Sequence, residues 1–145
     1  YPRWAKLSPN TDALVAVAEA CAGAGADAVT LTNTLLGLVI DTDSRRPALG
    51  GGGGGVSGPG LGPIAVRAVW EVARAMPELP IVGVGGVHDA NSALQLLMAG
   101  ASAVQVGTAN FADPRATIRV LDELASWCDS HGVATIAELI GAAHP

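Results

Sequence analysis

Two short segments of this 145-residue chain carry glycine where an apolar run ends, Val84-Gly85-Gly86-Val87 and Val106-Gly107-Thr108-Ala109. Backbone N–H groups after such a glycine can close on an anion, and a following helix turns its positive dipole end toward it. The alternative is that these glycines serve only tight turns and close helix packing. Two such turns on neighbouring strands favour phosphate binding. Lys6 interrupts the apolar run Trp4–Ser8. A lysine inside a buried strand needs a partner or a charged ligand, unless it sits at the strand end and reaches solvent. Ser8-Pro9-Asn10 marks the end of the strand directly after it, which favours the ligand. Asn33-Thr34 offers an amide and a hydroxyl, donors and acceptors for a planar polar ligand, or an ordinary strand-ending turn. His88, His131 and His144 have no metal-ligand spacing, and neither Cys-x-x-Cys nor a Ser/His/Asp set is evident. His88 follows the glycine turn and could touch a phosphate, but the favoured reading is a solvated loop residue. Cys21 and Cys128 fall on helical apolar stripes and read as core. No Gly-x-Gly-x-x-Gly opens a helix after a strand, so the Rossmann fingerprint is missing.

The elements that must position these residues alternate. Runs 4–8, 28–33, 81–86 and 103–108 are small, branched and apolar, as expected of parallel strands covered on both faces. Helical spacing follows each. Leu14, Val17, Ala18 and Cys21 form one stripe after a start near Thr11. Val66, Val69, Trp70 and Ala73 form another behind Pro63. Asp89 caps a third helix with Ala93, Leu94 and Leu97 inside. Asp113-Pro114 opens a fourth with Ile118, Leu121 and Cys128, and Thr135 with Glu138 has capping-box spacing. No antiparallel hairpin signal separates the strands, so the fold class is parallel α/β. Half of a (β/α)8 barrel and a doubly wound sheet both fit the count. A whole barrel takes about 250 residues, and this length supplies about four of eight units. The connection 34–62 is long for its place and holds six glycines at 50–55. Gly50–Gly54 reads as a floppy linker.

Composition excludes several classes. Hydrophobic residues make up 50% and charged residues 14%, which excludes a disordered tail. Eight Lys+Arg against thirteen Asp+Glu give a net charge of −5, which argues against nucleic-acid binding. Aromatics at 3% provide no stacking platform. Two cysteines suit a reducing, cytoplasmic setting better than a disulfide scaffold. Neither a membrane span nor a signal peptide is expected. The abrupt start within a strand reads as a fragment whose N-terminal part is missing.

Together the segments resemble class 1 dihydroorotate dehydrogenase. They are Lys6-Leu7-Ser8-Pro9-Asn10, Thr32-Asn33-Thr34-Leu35-Leu36-Gly37 with Ile40-Asp41, Ser57-Gly58-Pro59, Gly83 to Val87 and Gly100 to Ala109. Asn33 to Gly37 and Glu138-Leu139-Ile140-Gly141 are most similar to the NAD-linked 1B catalytic subunit. The resemblance implies the C-terminal half of an FMN-binding (β/α)8 barrel, strands five to eight, as one domain over 1–145. It implies oxidation of dihydroorotate to orotate in pyrimidine (UMP) biosynthesis, by hydride transfer from C6 to the flavin and proton removal at C5. It places Lys6 near the flavin's pyrimidine end, where its charge stabilises the reduced ring. Thr32 is a backbone contact to the flavin, and Gly58 another FMN contact. Gly85, Gly86, Gly107 and Thr108 form the phosphate turns, and Asn33 and Thr34 bind the substrate. The family's cysteine base lies on a loop after the fourth strand, and neither Cys21 nor Cys128 matches it, so no catalytic base is expected in this chain. The resemblance further implies a homodimer within a heterotetramer, with FAD and a 2Fe-2S cluster on an electron-transfer subunit. Two other readings stay open. One is a different FMN barrel, such as a dihydropyrimidine dehydrogenase-like domain. The other is a non-catalytic phosphate-binding half-barrel.

Overall fold

The four branched, apolar runs become one parallel sheet in a computed structural model that describes residues 1–145. Its strands are β1 (Trp4–Leu7), β2 (Ala28–Leu31), β7 (Ile81–Val84) and β8 (Ala103–Gln105), ordered β1-β2-β7-β8. Between and after them run the helices α1 (Leu14–Gly23), α2 (Gly62–Ala75), α3 (Ala90–Met98), α4 (Ala109–Ala112) and α5 (Ala116–His131). Each of α1, α2, α3 and α5 packs on the next in that order, so the long helices make a single layer. A doubly wound sheet would divide them between two faces. Sequential strand order with one helical layer is the arrangement of a partial (β/α)8 barrel.

Alternation along the strands decides what the helices cover. Val29 and Leu31 are fully buried and join Ile81 in the core with Val69, Val72, Leu96 and Leu97. Gly83 belongs to the same face, since a Cβ there would lie 3.1 Å from Leu96 Cβ and 3.0 Å from Ala101 Cβ. The alternate positions Trp4, Lys6, Ala103 and Gln105 are exposed on the edge strands, and Trp4 is 59% accessible. This corrects the expectation of a buried first strand. In β1 only Leu7 is buried, and Lys6 is exposed.

Other expectations shift for local reasons. The strands stop two residues or more before the predicted ends of the 28–33, 81–86 and 103–108 runs, because glycine or loop geometry takes over. The first helix starts at Leu14, with Thr11 Oγ1 accepting from Ala13 N (3.1 Å), and Val17 is exposed. In α2 the buried stripe is Ala65, Ala68, Val69 and Val72, so Val69 lies inside as expected, while Val66, Trp70 and Ala73 are only partly buried against the core. The fourth predicted helix begins at Ala116 after the four-residue α4, and Ala116, Val120 and Leu124 are its buried residues. Ile118 and Leu121 are exposed at 56% and 60%. Cys21 and Cys128 are partly buried against the core, as expected. Thr135 and Glu138 form the expected capping box on a single 3-10 turn.

The long connection is built, not a floppy linker. It folds into two antiparallel pairs. The strand β3 (Leu35–Gly37) pairs with β6 (Gly54–Val56), and β4 (Ile40–Asp41) pairs with β5 (Arg46–Pro47). Leu49 and Gly52 bridge within the glycine run. Neither short pair carries a conventional two-residue turn signal, which is why the sequence conceals them. The need for glycine is local: a Cβ at Gly55 would run into the Thr34 side chain.

The N-terminus of α3 carries a capping box. Asp89 Oδ1 accepts from Ser92 N at 2.8 Å, and Ser92 Oγ accepts from Asp89 N at 3.1 Å. The Ser92 hydroxyl, then the Ser92 N–H, hold the Asp89 carboxyl below the usual carboxylate range. A lowered folded-state pKa gives stability that is present at neutral pH and lost as pH falls through that pKa. Asp89→Ala should therefore cost about 1 kcal/mol at pH 7, and the difference from the parent should shrink below about pH 4. Urea unfolding at pH 7 and pH 3 measures it, and an equal difference at both would contradict the assignment.

Candidate functional site

All four parallel strands end at one cleft of about 580 Å³. That lies within the range of about 300–1,000 Å³ typical of small-molecule sites. Lys6 comes from β1. Thr32, Asn33 and Thr34 follow β2, and Gly58 precedes α2. Gly85 and Gly86 follow β7, while Gly107 and Thr108 follow β8. All nine residues singled out from the sequence line this cleft. Three interstrand spacings of about 4.8 Å put β1 roughly 14 Å from β8. Lys6, Asn33 and Thr34 thus stand toward one side, and the glycine turns toward the other.

The glycine side is rich in free donors. The backbone N–H groups of Gly85, Gly86, Gly107 and Thr108 donate to no acceptor within the chain. Gly85 and Gly86 have φ of 123° and 79°, a conformation that other residues rarely adopt. The packing alternative applies to these two as well, because a Cβ on Gly86 would lie 2.5 Å from Gly62 Cα at the start of α2. Gly107 differs: no neighbouring atom lies within 4 Å of a Cβ built there, and its φ is outside the left-handed region. Packing therefore gives no reason for glycine at 107, whereas an approaching ligand does.

The other side is anchored by the sheet. Thr32 N donates to Val84 O at 2.7 Å, and Asn33 N to Leu7 O at 2.8 Å. Thr32 is 3% exposed, and its Oγ1 is buried without any hydrogen-bond partner. An orphaned buried hydroxyl is costly unless something outside the chain satisfies it. The Asn33 side chain is exposed and uncommitted, and Lys6 brings positive charge.

Sequence reasoning raised His88 as able to touch a phosphate but missed the charged rim beyond the glycine turns. His88, Asp89, Asp113 and Arg119 also line the cleft. His88 is an exposed loop residue, as expected, but its Nδ1 is 2.7 Å from Gly86 O. Arg119 pairs with Asp113 at 3.2 Å and Glu123 at 2.9 Å, and Glu123 Oε2 accepts from Ala90 N at 2.9 Å. The Asp113 carboxyl is held low by the Arg115 N–H and then by Arg119. That of Glu123 is held low by the Ala90 N–H and then by Arg119. With two carboxylates already on Arg119, a bound anion would rely on backbone N–H groups. The i, i+4 spacing of Arg119 and Glu123 was a readable signal for this pair. No group of His, Cys, Asp and Glu is placed to hold a metal ion. His144 instead stacks on Trp70 and His131 on Trp127. No helix is long and apolar enough to cross a membrane.

Known proteins share this sequence closely. Residues 1–127 match the family described as dihydroorotate dehydrogenase. A protein of Pelobacter propionicus named dihydroorotate dehydrogenase B (NAD(+)), catalytic subunit, is 49% identical over 141 residues, which are 97% of this chain and 46% of that protein. Proteins of the same name from Geobacter sulfurreducens and Desulforudis audaxviator are each 51% identical, over 94% and 99% of this chain and 45% and 46% of their own lengths. The chain spans about half the length of the curated relatives it matches. A match that runs from the first strand into α5 places this chain in the dihydroorotate dehydrogenase family.

Proposed function

We propose that residues 1–145 supply the FMN and substrate contacts of a dihydroorotate dehydrogenase barrel that oxidises dihydroorotate to orotate in pyrimidine (UMP) biosynthesis. The observation that carries the reading is the cleft itself. Unpaired backbone N–H groups lie toward one side, a lysine and an uncommitted amide toward the other, and an orphaned buried hydroxyl sits at Thr32. These features fit an elongated ligand with an anionic end and a polar planar ring. When bound, FMN supplies a two-electron acceptor for the substrate's hydride.

The chain's own residues then divide the work. Gly85, Gly86, Gly107 and Thr108 hold the phosphate through backbone N–H groups. Gly58 leaves room for the cofactor, since nothing lies within 4 Å of a Cβ at that position. Thr32 hydrogen-bonds the ring, and Lys6 offsets the negative charge that builds as electrons arrive. Asn33 and Thr34 hydrogen-bond the pyrimidine acid and orient it. Neither Cys21 nor Cys128 lines the cleft, so neither removes the C5 proton. The proposal is completed by an electron-transfer subunit carrying FAD and a 2Fe-2S cluster, NAD as acceptor, a homodimer within a heterotetramer, and a cytoplasmic setting.

The test uses a chimera in which this chain replaces the matching 141 residues of the Pelobacter propionicus protein. It should bind FMN, and orotate should perturb the flavin absorbance where uracil does not. Asn33→Ala should weaken orotate at least about tenfold while FMN stays bound. Lys6→Ala should keep FMN yet slow flavin reduction by dihydroorotate. A colourless chimera removes the cofactor assignment, and preference for uracil favours a dihydropyrimidine-type barrel. An unaltered orotate affinity in Asn33→Ala removes that residue from the site.

A further inference from the structure

The turn that presents Asn33 and Thr34 is held by a residue outside the cleft. Asn10 Nδ2 donates to Thr34 O at 2.9 Å and to Ser8 Oγ at 2.8 Å, while Asn10 Oδ1 accepts from Leu36 N at 2.8 Å. The network fixes which way the amide points, because Leu36 presents a donor and Thr34 an acceptor. Both amide protons are thereby committed and one acceptor site is used, so little capacity remains for a ligand. Asn10 does not line the cleft. Its side chain meets the backbone on either side of Leu35, the first residue of β3, as a neighbouring strand would. Asn10 N also donates to Ser8 Oγ at 3.2 Å, and Asn33 N donates to Leu7 O. The end of the Lys6 strand and the segment after it are thus stitched to the recognition turn at two points, Leu7 and Asn10, with Ser8 Oγ bracing the Asn10 side chain.

We infer that Asn10 is a positioning residue for substrate recognition, setting Thr34, and through it Asn33, relative to Lys6. This rests on the proposed reading of the cleft as an orotate site. Asn10 is exposed and buries no apolar surface, so its loss removes backbone bonds and no core packing. Its effect is therefore local to the turn. The Thr34 side chain already lies against Gly55, so a backbone shift at Thr34 has to be shared with the β3–β6 pair or taken up in the cleft.

Two measurements test this. In the 145-residue chain, Asn10→Ala should speed hydrogen exchange at the Leu36 amide at least about tenfold, whereas Asn10→Asp, which keeps the acceptor, should protect it nearly as the parent does. In the FMN-loaded chimera, both variants should raise the orotate dissociation constant about tenfold, because both lose the bond to Thr34 O, while FMN affinity and Tm stay within error. Equal orotate affinity in parent and variants overturns the inference. So does parallel loss of FMN, orotate and thermal stability, which would make Asn10 a general structural residue. If the parent chimera binds FMN but not orotate, the substrate reading itself fails and takes this inference with it. The Leu36 exchange, measured without ligand, tells the two failures apart.

Discussion

Gly86→Ala should lower the stability of the chain by roughly 3–5 kcal/mol, a fall in Tm of about 10–16 °C, whereas Gly107→Val should leave Tm nearly unchanged and abolish FMN retention. Both glycines end a parallel strand at the same cleft, yet the backbone asks different things of them. At Gly86 the φ of 79° disfavours any side chain, and a Cβ would stand 2.5 Å from Gly62 Cα and 2.6 Å from Gly62 N. Those atoms are backbone, so the first turn of α2 would have to move off the sheet. At Gly107 no atom of the chain lies within 4 Å of the added carbon. The isopropyl group would extend into the open cleft. Gly107→Val in the chimera should weaken FMN at least about 100-fold, since a branched side chain beside the unpaired N–H groups of Gly107 and Thr108 keeps the phosphate from reaching them. Thermal unfolding and flavin fluorescence titration measure the two variants side by side. Normal FMN affinity in Gly107→Val would remove the phosphate from this turn. An unshifted Tm in Gly86→Ala would mean that the close approach to α2 is not what fixes the glycine.

This contrast shows why part of the site was legible in the sequence and part was not. Strand ends are marked by residue type: Lys6, Asn33, Gly85 and Gly107 stand out because each departs from the apolar run before it. Parallel topology then carries every strand end to the same face, so the four markers had to meet once the alternation of strands and helices was read. Which glycine packs and which stays open depends on α2, more than twenty residues away, and no local pattern records that. The helical stripes failed for a related reason. In α2 the buried row is Ala65, Ala68, Val69 and Val72, half of it alanine, so counting bulky residues rotates the predicted face. The excursion 34–62 was misread because its pairs are only two or three residues long. They are held by partners such as Asn10 that lie far off in sequence.

Residues 1–145 alone should not turn over dihydroorotate, even with FMN supplied. Oxidation at C6 requires removal of a proton from C5, and general-base assistance is typically worth about 10²–10⁴-fold. No cysteine lines the cleft, since Cys21 and Cys128 pack against the core away from it. The carboxylates that do reach the cleft are poor substitutes. Asp89 is committed to Ser92, Asp113 to the Arg115 N–H and Arg119, and both are held below the usual carboxylate range, which weakens them as bases. Water also has free access, because the edge-strand positions Trp4, Lys6, Ala103 and Gln105 are exposed, so Lys6 stabilises developing charge far less than it would in a closed site. Completing the barrel should restore both the base and the exclusion of water. The comparison is direct: orotate formation followed by absorbance for the FMN-reconstituted chain and for the chimera at equal flavin content. The chain should run at least about 10³-fold slower. A rate within tenfold of the chimera would show that a group within these 145 residues removes the proton, and His88, at the rim with its Nδ1 on Gly86 O, would be the first to replace.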